Sequence, residues 1–556
     1  MDSNPAVHAY VSSVMCALLV AVLAFAAHVV WRLCLKTTTL TLKSRYPLPP
    51  SPAGELVWGH ARLVPAEDPH LYYQRLAEKL DSDVLYFKQF FTPVVVLNSV
   101  KAAEELLSRR GANYCDRPRF VLFEVMGWGR TLTFLPWGSR FKAHRAHLQS
   151  AFTKSSVVRY RDVQEQEARQ ALHTITQRPE DWEIALRRFA SAIVLRVAFG
   201  ITLENDDDEY IKIAADAIHA TGNGGSPGAT IVDHLPFLRN LPYWMVPSPA
   251  IRHARKWGSA IRRLHDVPFA AAQKEFNEGV AQKSSYIYSL LEKHAQNESR
   301  GLGNDFSIKD INGSAAAIFI AGSDTTFATT LVGILNFLLH PDIFQKARAL
   351  LDQTIGPHRL PSLKDRDNPK LVYLEYIVQE IVRWRPLSPL GIPHTSLHDD
   401  VYNDMFIPRG TSVYFNTWAM SRDRAVYANP DVFDPDRYRP VHQGGAGEPF
   451  LKGPFGFGRR MCVGRHLALG SVWIVLATLV STVDVLKARD LDGRVVEPVV
   501  GFTTGLSSHP LGFDCIIRLL LVGDSAFSET KDETLQFQIF GNQKFWCAKM
   551  IRKRWR

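Results

Sequence analysis

The stretch "FGFGRRMCVG", Phe455 to Gly464, sets Cys462 among three glycines and two arginines. A thiolate that ligates a metal has to stay anionic, and a glycine-rich loop running into a helix N-terminus offers it backbone N–H groups and a favourable dipole. The residues that follow, "RHLALGSVWIVLATLV", read as a buried helix. In that frame Gly456, Gly458 and Gly464 let the backbone approach a flat ligand, Phe455 packs near the sulfur, and Arg460 neutralises a carboxylate through paired hydrogen bonds. The competing reading is a structural cysteine buried in a glycine-rich turn. The other cysteines, Cys16, Cys34, Cys115, Cys515 and Cys547, form no CxxC pair or tight cluster. That points away from zinc and from a disulfide framework, and toward reduced thiols facing the cytosol.

With 556 residues, 46% apolar and 22% charged, the chain has the composition of an ordinary globular protein able to bury a large core. Its net charge of +10 is spread along the sequence without a recognition-helix or zinc-finger pattern, so no nucleic acid is expected as a partner. "AYVSSVMCALLVAVLAFAAHVVW", Ala9 to Trp31, carries no Asp, Glu, Lys or Arg and is long enough to cross a bilayer. The basic residues Arg32, Lys36, Lys43 and Arg45 follow it, which favours a single-pass anchor with a cytoplasmic catalytic domain over a cleaved signal peptide. The expected organisation is a membrane anchor over 1–35, a basic and proline-rich linker over 36–52, a catalytic domain over 53–520 and a C-terminal extension over 521–556. The extension ends in a basic, aromatic stretch and reads either as a peripheral membrane contact or as a faulty gene model.

Two short β-favouring runs, "DVLYFKQ" and "PVVVLNS", precede a mostly helical remainder. The longest predicted helix opens at Ser307, with Asp310 as its capping-box partner, and runs to Leu339 before "HPD". At 1.5 Å per residue that is a rod of roughly 48 Å. "AGSDTT", Ala321 to Thr326, interrupts its apolar middle, and a buried carboxylate there needs a partner or a task. A second helix, "LVYLEYIVQEIVRW", sets Glu380 and Arg383 on one face. Pro386 and "PLSPLGIPH" then break it into an extended strand, and "FDPDRYRP" reads as a loop carrying Arg437.

Phe455, Gly458, Arg460, Cys462 and Gly464 match the pattern FxxGxRxCxG, and on them the chain resembles the cytochrome P450 family of haem-thiolate monooxygenases. "CDRP", "LPWGSRFKAHR" and "PLGIPH" resemble its microsomal fungal branch, and the resemblance runs from Pro47 to about Arg518. It implies a mainly α fold with a smaller β region, the cytochrome P450 fold, with heme held between the long helix and the cysteine loop and Cys462 as the axial iron ligand. Glu380 and Arg383 match the family's ExxR, and Arg437 the arginine that completes a buried structural cluster, where a surface ion pair is the alternative. "AGSDTT" assigns Asp324 and Thr325 to an acid–alcohol pair for proton delivery, Gly322 to a close approach of helix to haem, and Thr326 to packing. A threonine hydroxyl bonded to the i−4 carbonyl is expected to loosen the helix there. Arg460, Arg145 and His394 are the expected donors to the haem propionates. The family's WxxxR carries Phe141 where Trp is usual, losing an indole donor for which Lys142 is the candidate replacement.

By the same resemblance the substrate pocket draws on Phe120, Phe123, Ile320, Ala321, Leu387, Leu390, Ile392 and Leu506, apolar residues suited to a lipophilic small molecule, with core packing as the alternative for several. "IVDHLPFLRNLPYWMVP" reads as an access lid dipping into the membrane, or as a buried loop. The implied activity is insertion of one oxygen atom from O2, by hydroxylation or epoxidation, as in terpenoid or polyketide tailoring at the endoplasmic reticulum membrane. Electrons would come from NADPH through NADPH-cytochrome P450 reductase, with cytochrome b5 as a second donor. Rival readings stay open: a xenobiotic or fatty-acid hydroxylase, a haem-thiolate isomerase or peroxygenase that needs no reductase, and a non-catalytic membrane haem-binding protein.

Overall fold

The two β-favouring runs pair as antiparallel strands β1 (Val84–Gln89) and β2 (Thr92–Leu97) in the computed structural model, which describes residues 45–56, 58–224, 228, 230–242, 245 and 248–520. The apolar span at 9–31, most of the linker and the extension after 520 lie outside the described residues, as do several residues of the lid segment. Register Val84↔Leu97 leaves the inward residues of β2 buried, and Val95 packs with Val413 in one small core.

The helices that position the site follow. They are α1 (Ser139–Ala151), α2 (Arg161–Gln177), α3 (Trp182–Phe199), α4 (Pro249–Asn277), α5 (Ile308–Leu339), α6 (Pro341–Thr354) and α7 (Val372–Trp384). Short strands β3 (His394–Thr395), β4 (Asp400–Tyr402), β5 (Met405–Ile407) and β6 (Ser412–Phe415) come next, then α8 (Arg465–Thr482), β7 (Val483–Lys487) and β8 (Cys515–Leu519). The main sheet has the order β1-β2-β6-β3, with β2 and β6 parallel; β4-β5 and β7-β8 are antiparallel pairs. Mainly helical with small sheets, the architecture is consistent with the expected fold class.

Helix α5 begins where its sequence requires. Ser307 Oγ accepts from the Asp310 amide at 3.2 Å and donates to the Asp310 carboxylate at 2.7 Å. The reciprocal capping box is not made, because that carboxylate is taken up by α1: Arg140 Nε lies 2.6 Å from it and His144 Nε2 2.9 Å. The start of the long helix is thereby fixed against α1. Apolar on all sides, α5 is buried through most of its length, as such a helix must be. Its threonines are satisfied internally where the hydroxyls of Thr325, Thr329 and Thr330 each donate to the i−4 carbonyl at 2.7–2.8 Å, whereas Asp324 is met from outside the helix by Ser507. The helix is continuous through them, so the expected local loosening does not occur. Pro341 ends α5 and serves as the first residue of α6, where its missing N–H costs nothing.

Gly322 has a second reason beside the expected one: a Cβ built there meets Val194 Cγ1 of α3 at 2.2 Å, so the glycine also permits a close approach between two helices. The "PLSPLGIPH" segment also departs from expectation. It makes a turn closed by the Gly391 N–H to Ser388 carbonyl bond at 3.0 Å, and only His394–Thr395 pairs as a strand. Three prolines in the segment leave too few backbone donors for a longer ladder.

Both α5 and α8 are long and apolar enough to cross a membrane, yet 72% and 67% of their apolar windows are buried within the protein. They are core helices: α5 lies along α3, and α8 against α2, α5 and α6. Residues such as Phe319, Leu335, Trp473 and Leu479 are each almost fully buried, and each such side chain contributes about 1.5–3 kcal/mol of hydrophobic stabilisation.

Candidate active site

A cavity of about 350 Å³ lies between the middle of α5 and the loop entering α8. Cys462, Phe455, Gly456 and Gly464 form one wall; Ala321, Gly322, Thr325 and Thr326 form the opposite one. The cysteine loop is shaped by three contacts. The Cys462 amide donates to the Phe455 carbonyl at 2.7 Å, the Gly458 amide donates to Ser108 Oγ at 3.1 Å, and Arg145 of α1 donates to the Met461 carbonyl. Gly458 does not face the cavity. At φ +54° a Cβ there would stand 2.0 Å from the Leu107 carbonyl oxygen, so this glycine lets the loop lie on the 104–109 segment rather than on a ligand. Gly456 and Gly464 are the two that open onto the cavity.

Cys462 is surrounded by protein yet exposed to the cavity, on which its side chain opens. Burial pushes its thiol above the ordinary range, while the Gly464 amide and the cations of Arg145 and Arg465 pull the other way. Those same groups would stabilise the thiolate once the proton is given up.

The cationic end of the cavity is built from Arg460, Arg117, Arg145 and His394. Arg460 donates Nε to the Cys115 carbonyl at 2.7 Å and Nη1 to the Leu135 carbonyl at 2.9 Å, and its buried Nη2 has no partner among the described residues. Burial pushes its pKa down to about 10, only partly offset by Asp116. The guanidinium lies 3.7 Å from the Phe141 ring centroid, so phenylalanine at this position supplies a flat platform in place of an indole donor. Lys142 does not make good the loss: it is exposed, with Nζ 5.3 Å over Trp137, and stands off the cavity wall. Arg145 spends donors on Met461 and on Gln149 at 2.9 Å, so it acts first on the cysteine loop.

His394 also differs from expectation. Its Nδ1 lies 2.7 Å from the Tyr114 carbonyl and must carry the proton, while burial and the nearby Arg117 hold the ring well below its ordinary pKa. With Nδ1 as the donor to Tyr114, donation to a carboxylate requires a second proton on Nε2. Arg117 is the residue that motif reading missed. It sits in "CDRP", is 8% exposed, lines the cavity, and is anchored to the carbonyls of Ile392, Pro393 and Thr133.

These residues fit haem. An unpartnered Arg460 Nη2 beside a second buried guanidinium, Arg117, suits the two propionates, and a thiol on the floor opposite a wall of small residues suits iron and a flat ring.

Behind the floor, Glu380 is 0% exposed and accepts five hydrogen bonds. Arg383 reaches both carboxylate oxygens at 2.7 Å, Arg437 Nε lies at 3.1 Å, Tyr438 OH at 2.8 Å and the Asp434 amide at 2.9 Å. A second carboxylate, Glu448, takes Arg437 Nη1 at 2.6 Å, so two acids balance two guanidiniums. Arg383 also ties down the carbonyls of Ser421, Pro430 and Val432.

Ala321, Leu387 and Ile392 line the cavity, together with Val194, Ile193 and Leu132. Phe120 and Phe123 do not: both pack on Phe134, which in turn meets Trp128, in an aromatic core, Phe123 and Phe134 having ring centroids 4.6 Å apart. Leu390 packs against the sheet, and Ile320 and Leu506 pack on the main core. Asp324 is likewise off the wall, turned toward Ser507 and His509 while its neighbour Thr325 faces the cavity.

Residues 49–504 match the family model described as Cytochrome P450. Among curated proteins, the chain is 35% identical to Cytochrome P450 monooxygenase 136 of Postia placenta over 85% of its own length and 88% of that protein's. It is 33% identical to a cytochrome P450 monooxygenase of Armillaria gallica, covering 86% and 92% of the two chains, and 32% identical to one of Ampulloclitocybe clavipes, covering 88% and 91%.

Proposed function

The chain belongs to the cytochrome P450 family of monooxygenases, and we propose that it inserts one atom of O2 into a C–H or C=C bond of a lipophilic small molecule in secondary metabolism. The observation that carries this reading is the cavity with Cys462 on one side and Thr325 on the other, walled by aliphatic side chains and closed at its cationic end by Arg460 and Arg117. Heme bound to Cys462 would supply oxygen activation, driven by electron donation from the thiolate.

The chain's own residues do the rest. Phe455 and the Gly464 amide shield and polarise the sulfur, and the Arg460 and Arg117 guanidiniums neutralise propionates. Val194, Ile193 and Leu387 hold an apolar substrate and exclude water. The Thr325 hydroxyl, parked on the Ala321 carbonyl at 2.7 Å, can swing to donate its proton into the cavity, and Asp324 beside it restores that proton.

Electrons would come from NADPH through a flavin reductase, with cytochrome b5 as an auxiliary donor, and residues 1–35 would anchor the chain in the endoplasmic reticulum membrane. The uncharged 9–31 segment supports the anchor. So do the exposed Leu56, Trp58, Phe91 and Phe237, on segments gathered by the Trp58–Phe90 and Phe90–His234 contacts.

The test is reductase-supported turnover. The carbon monoxide spectrum of the reduced protein should show a thiolate-ligated haem that Cys462→Ala lacks. Thr325→Ala should bind ligands and consume NADPH while diverting electrons to hydrogen peroxide. Wild-type coupling in Thr325→Ala would remove the threonine from the proton path, and turnover needing only peroxide would favour a peroxygenase.

A further inference from the structure

Asp324 interrupts the buried helix α5, but its carboxylate is not on the cavity wall. It meets the loop before β8. Ser507 Oγ donates to Asp324 Oδ2 at 2.7 Å, and Asp324 Oδ1 stands 2.9 Å from His509 Nε2. Ser507 has a single proton and has given it to Asp324, so its 3.3 Å contact with His509 Nε2 requires Nε2 to carry a proton and donate. That N–H is aligned on Ser507, which leaves Asp324 Oδ1 close by but without an aligned donor. A small rotation of the imidazole moves its N–H from the serine oxygen to the carboxylate.

The loop is held where this can happen. Thr503 and His509 close its ends by backbone hydrogen bonding at 2.8 Å, and the Thr503 hydroxyl accepts from the His509 amide at 2.9 Å. The Ser508 amide reaches the Leu387 carbonyl at 2.7 Å, and Ser388 Oγ donates to the Leu506 carbonyl at 3.0 Å, docking the loop on two residues of the cavity wall. The side chains of Asp324 and His509 are 14% and 21% exposed, so the histidine is the more accessible of the two. Within ion-pair distance the charged group facing the imidazole is Asp324 from α5, and Ser507 and Thr503 from its own loop are neutral.

We propose that the 503–509 loop is the solvent end of the proton path, with His509 passing protons from bulk water to Asp324 and Ser507 fixing the carboxylate's orientation. The imidazolium Nε2–H gives its proton to Asp324 Oδ1, the ring becomes neutral, and it regains a proton from water; no electrons move. Both residues act through Asp324 and are positioning residues. The proposal rests on the reading of Asp324 as the acid behind Thr325.

The full-length, haem-loaded protein and its reductase test it. Asp324→Asn, His509→Gln and the double variant are compared for NADPH consumption with 7-ethoxycoumarin present, for optical titration with 1-phenylimidazole, and for amide hydrogen exchange over 503–509. Glutamine keeps an N–H donor but cannot take up a proton from water and pass it on. Ligand titration should be unchanged, exchange over the loop should quicken in Asp324→Asn, and His509→Gln should slow NADPH consumption severalfold. The double variant should be no slower than Asp324→Asn alone, because the two residues act in series. Wild-type consumption in His509→Gln with slow Asp324→Asn, losses that multiply, or loop exchange unchanged in Asp324→Asn would each overturn the proposal. Wild-type consumption in Asp324→Asn would instead overturn the acid–alcohol reading beneath it.

Discussion

Replacing Glu380 by Gln keeps the shape of the side chain and removes its charge, which isolates what the carboxylate does. Glu380 accepts at both oxygens: Arg383 Nη2, Arg437 Nε and the Asp434 amide on Oε1, Arg383 Nε and Tyr438 OH on Oε2. A glutamine offers one acceptor and one donor. With its NH2 in the Oε1 position it opposes three fixed donors. In the Oε2 position it opposes Arg383 Nε, while the Tyr438 hydroxyl can turn to accept. The second arrangement is the less costly, and it still leaves Arg383, 0% exposed, facing a neutral partner, with Glu448 alone to balance two guanidiniums.

Breaking a buried ion pair from one side typically costs about 3–5 kcal/mol. Unfolding a domain of this size carries an entropy of about 1 kcal/mol per kelvin near the midpoint, so Tm should fall by about 3–5 °C. The assay is thermal unfolding at a fixed scan rate, followed by haem absorbance and by far-UV circular dichroism. Glu380→Asp, which keeps the charge at a shorter reach, serves as the comparison. A Glu380→Gln protein within about 1 °C of wild type would mean that the cluster's carbonyl contacts, not its charge balance, hold the cysteine loop.

Asp310 gives a pH signature. Burial alone would raise its pKa, but hydrogen bonds from His144, Ser307 and Arg140 hold it down to about 2, below its unfolded value. Its contribution is therefore present above about pH 4 and is lost as pH falls toward 2. Asp310→Asn should unfold earlier than wild type at pH 7, with the gap closing through that window in urea titrations. Gly458→Ala should lose haem during purification, because the new Cβ meets the Leu107 carbonyl and the backbone is left-handed; the haem-to-protein absorbance ratio measures it. Phe141→Ala removes the platform under Arg460 and should speed haem transfer to apomyoglobin, whereas Phe141→Trp should not. Deleting residues 1–35 should shift the protein from microsomal pellet to supernatant with haem retained, and an unchanged pellet fraction would count against the anchor.

What could be read beforehand divides along physical lines. Cys462, Glu380 and Arg383 were legible because their chemistry is fixed by short spacings within one loop or one helix face. The ends of α5 were legible because Ser307 and Pro341 act on the backbone next to them. Glu448 was not: it is a loop residue with no periodicity, and only the folded chain brings it to Arg437. The partners of Asp324 lie 183 residues and more downstream, beyond any local pattern. Apolar character failed to separate Phe123, which packs in the aromatic core, from Ile392, which lines the cavity, because both surroundings reward the same side chains. Glycine was the most misleading residue: Gly458 looks like clearance for a ligand and is instead clearance for the Leu107 carbonyl, and Gly322, which does face the cavity, also makes room for Val194.

The apolarity of α5 bears on how the chain is made. A helix of 32 residues with mean hydropathy 1.5 over its best window satisfies the length and composition that a translocon accepts as a span. Were the chain made at a membrane, α5 would already have a competitor for the bilayer waiting. Helix α3, against which it packs, leaves the ribosome more than a hundred residues earlier, as does α2, which later covers the second such helix, α8. The chain order thus presents α8 after its cover exists and α5 after α3, its main packing partner, exists, so that sorting between lipid and core becomes a race in which the earlier helices have a head start. Shuffling α3 behind α5 by circular permutation would reverse that order.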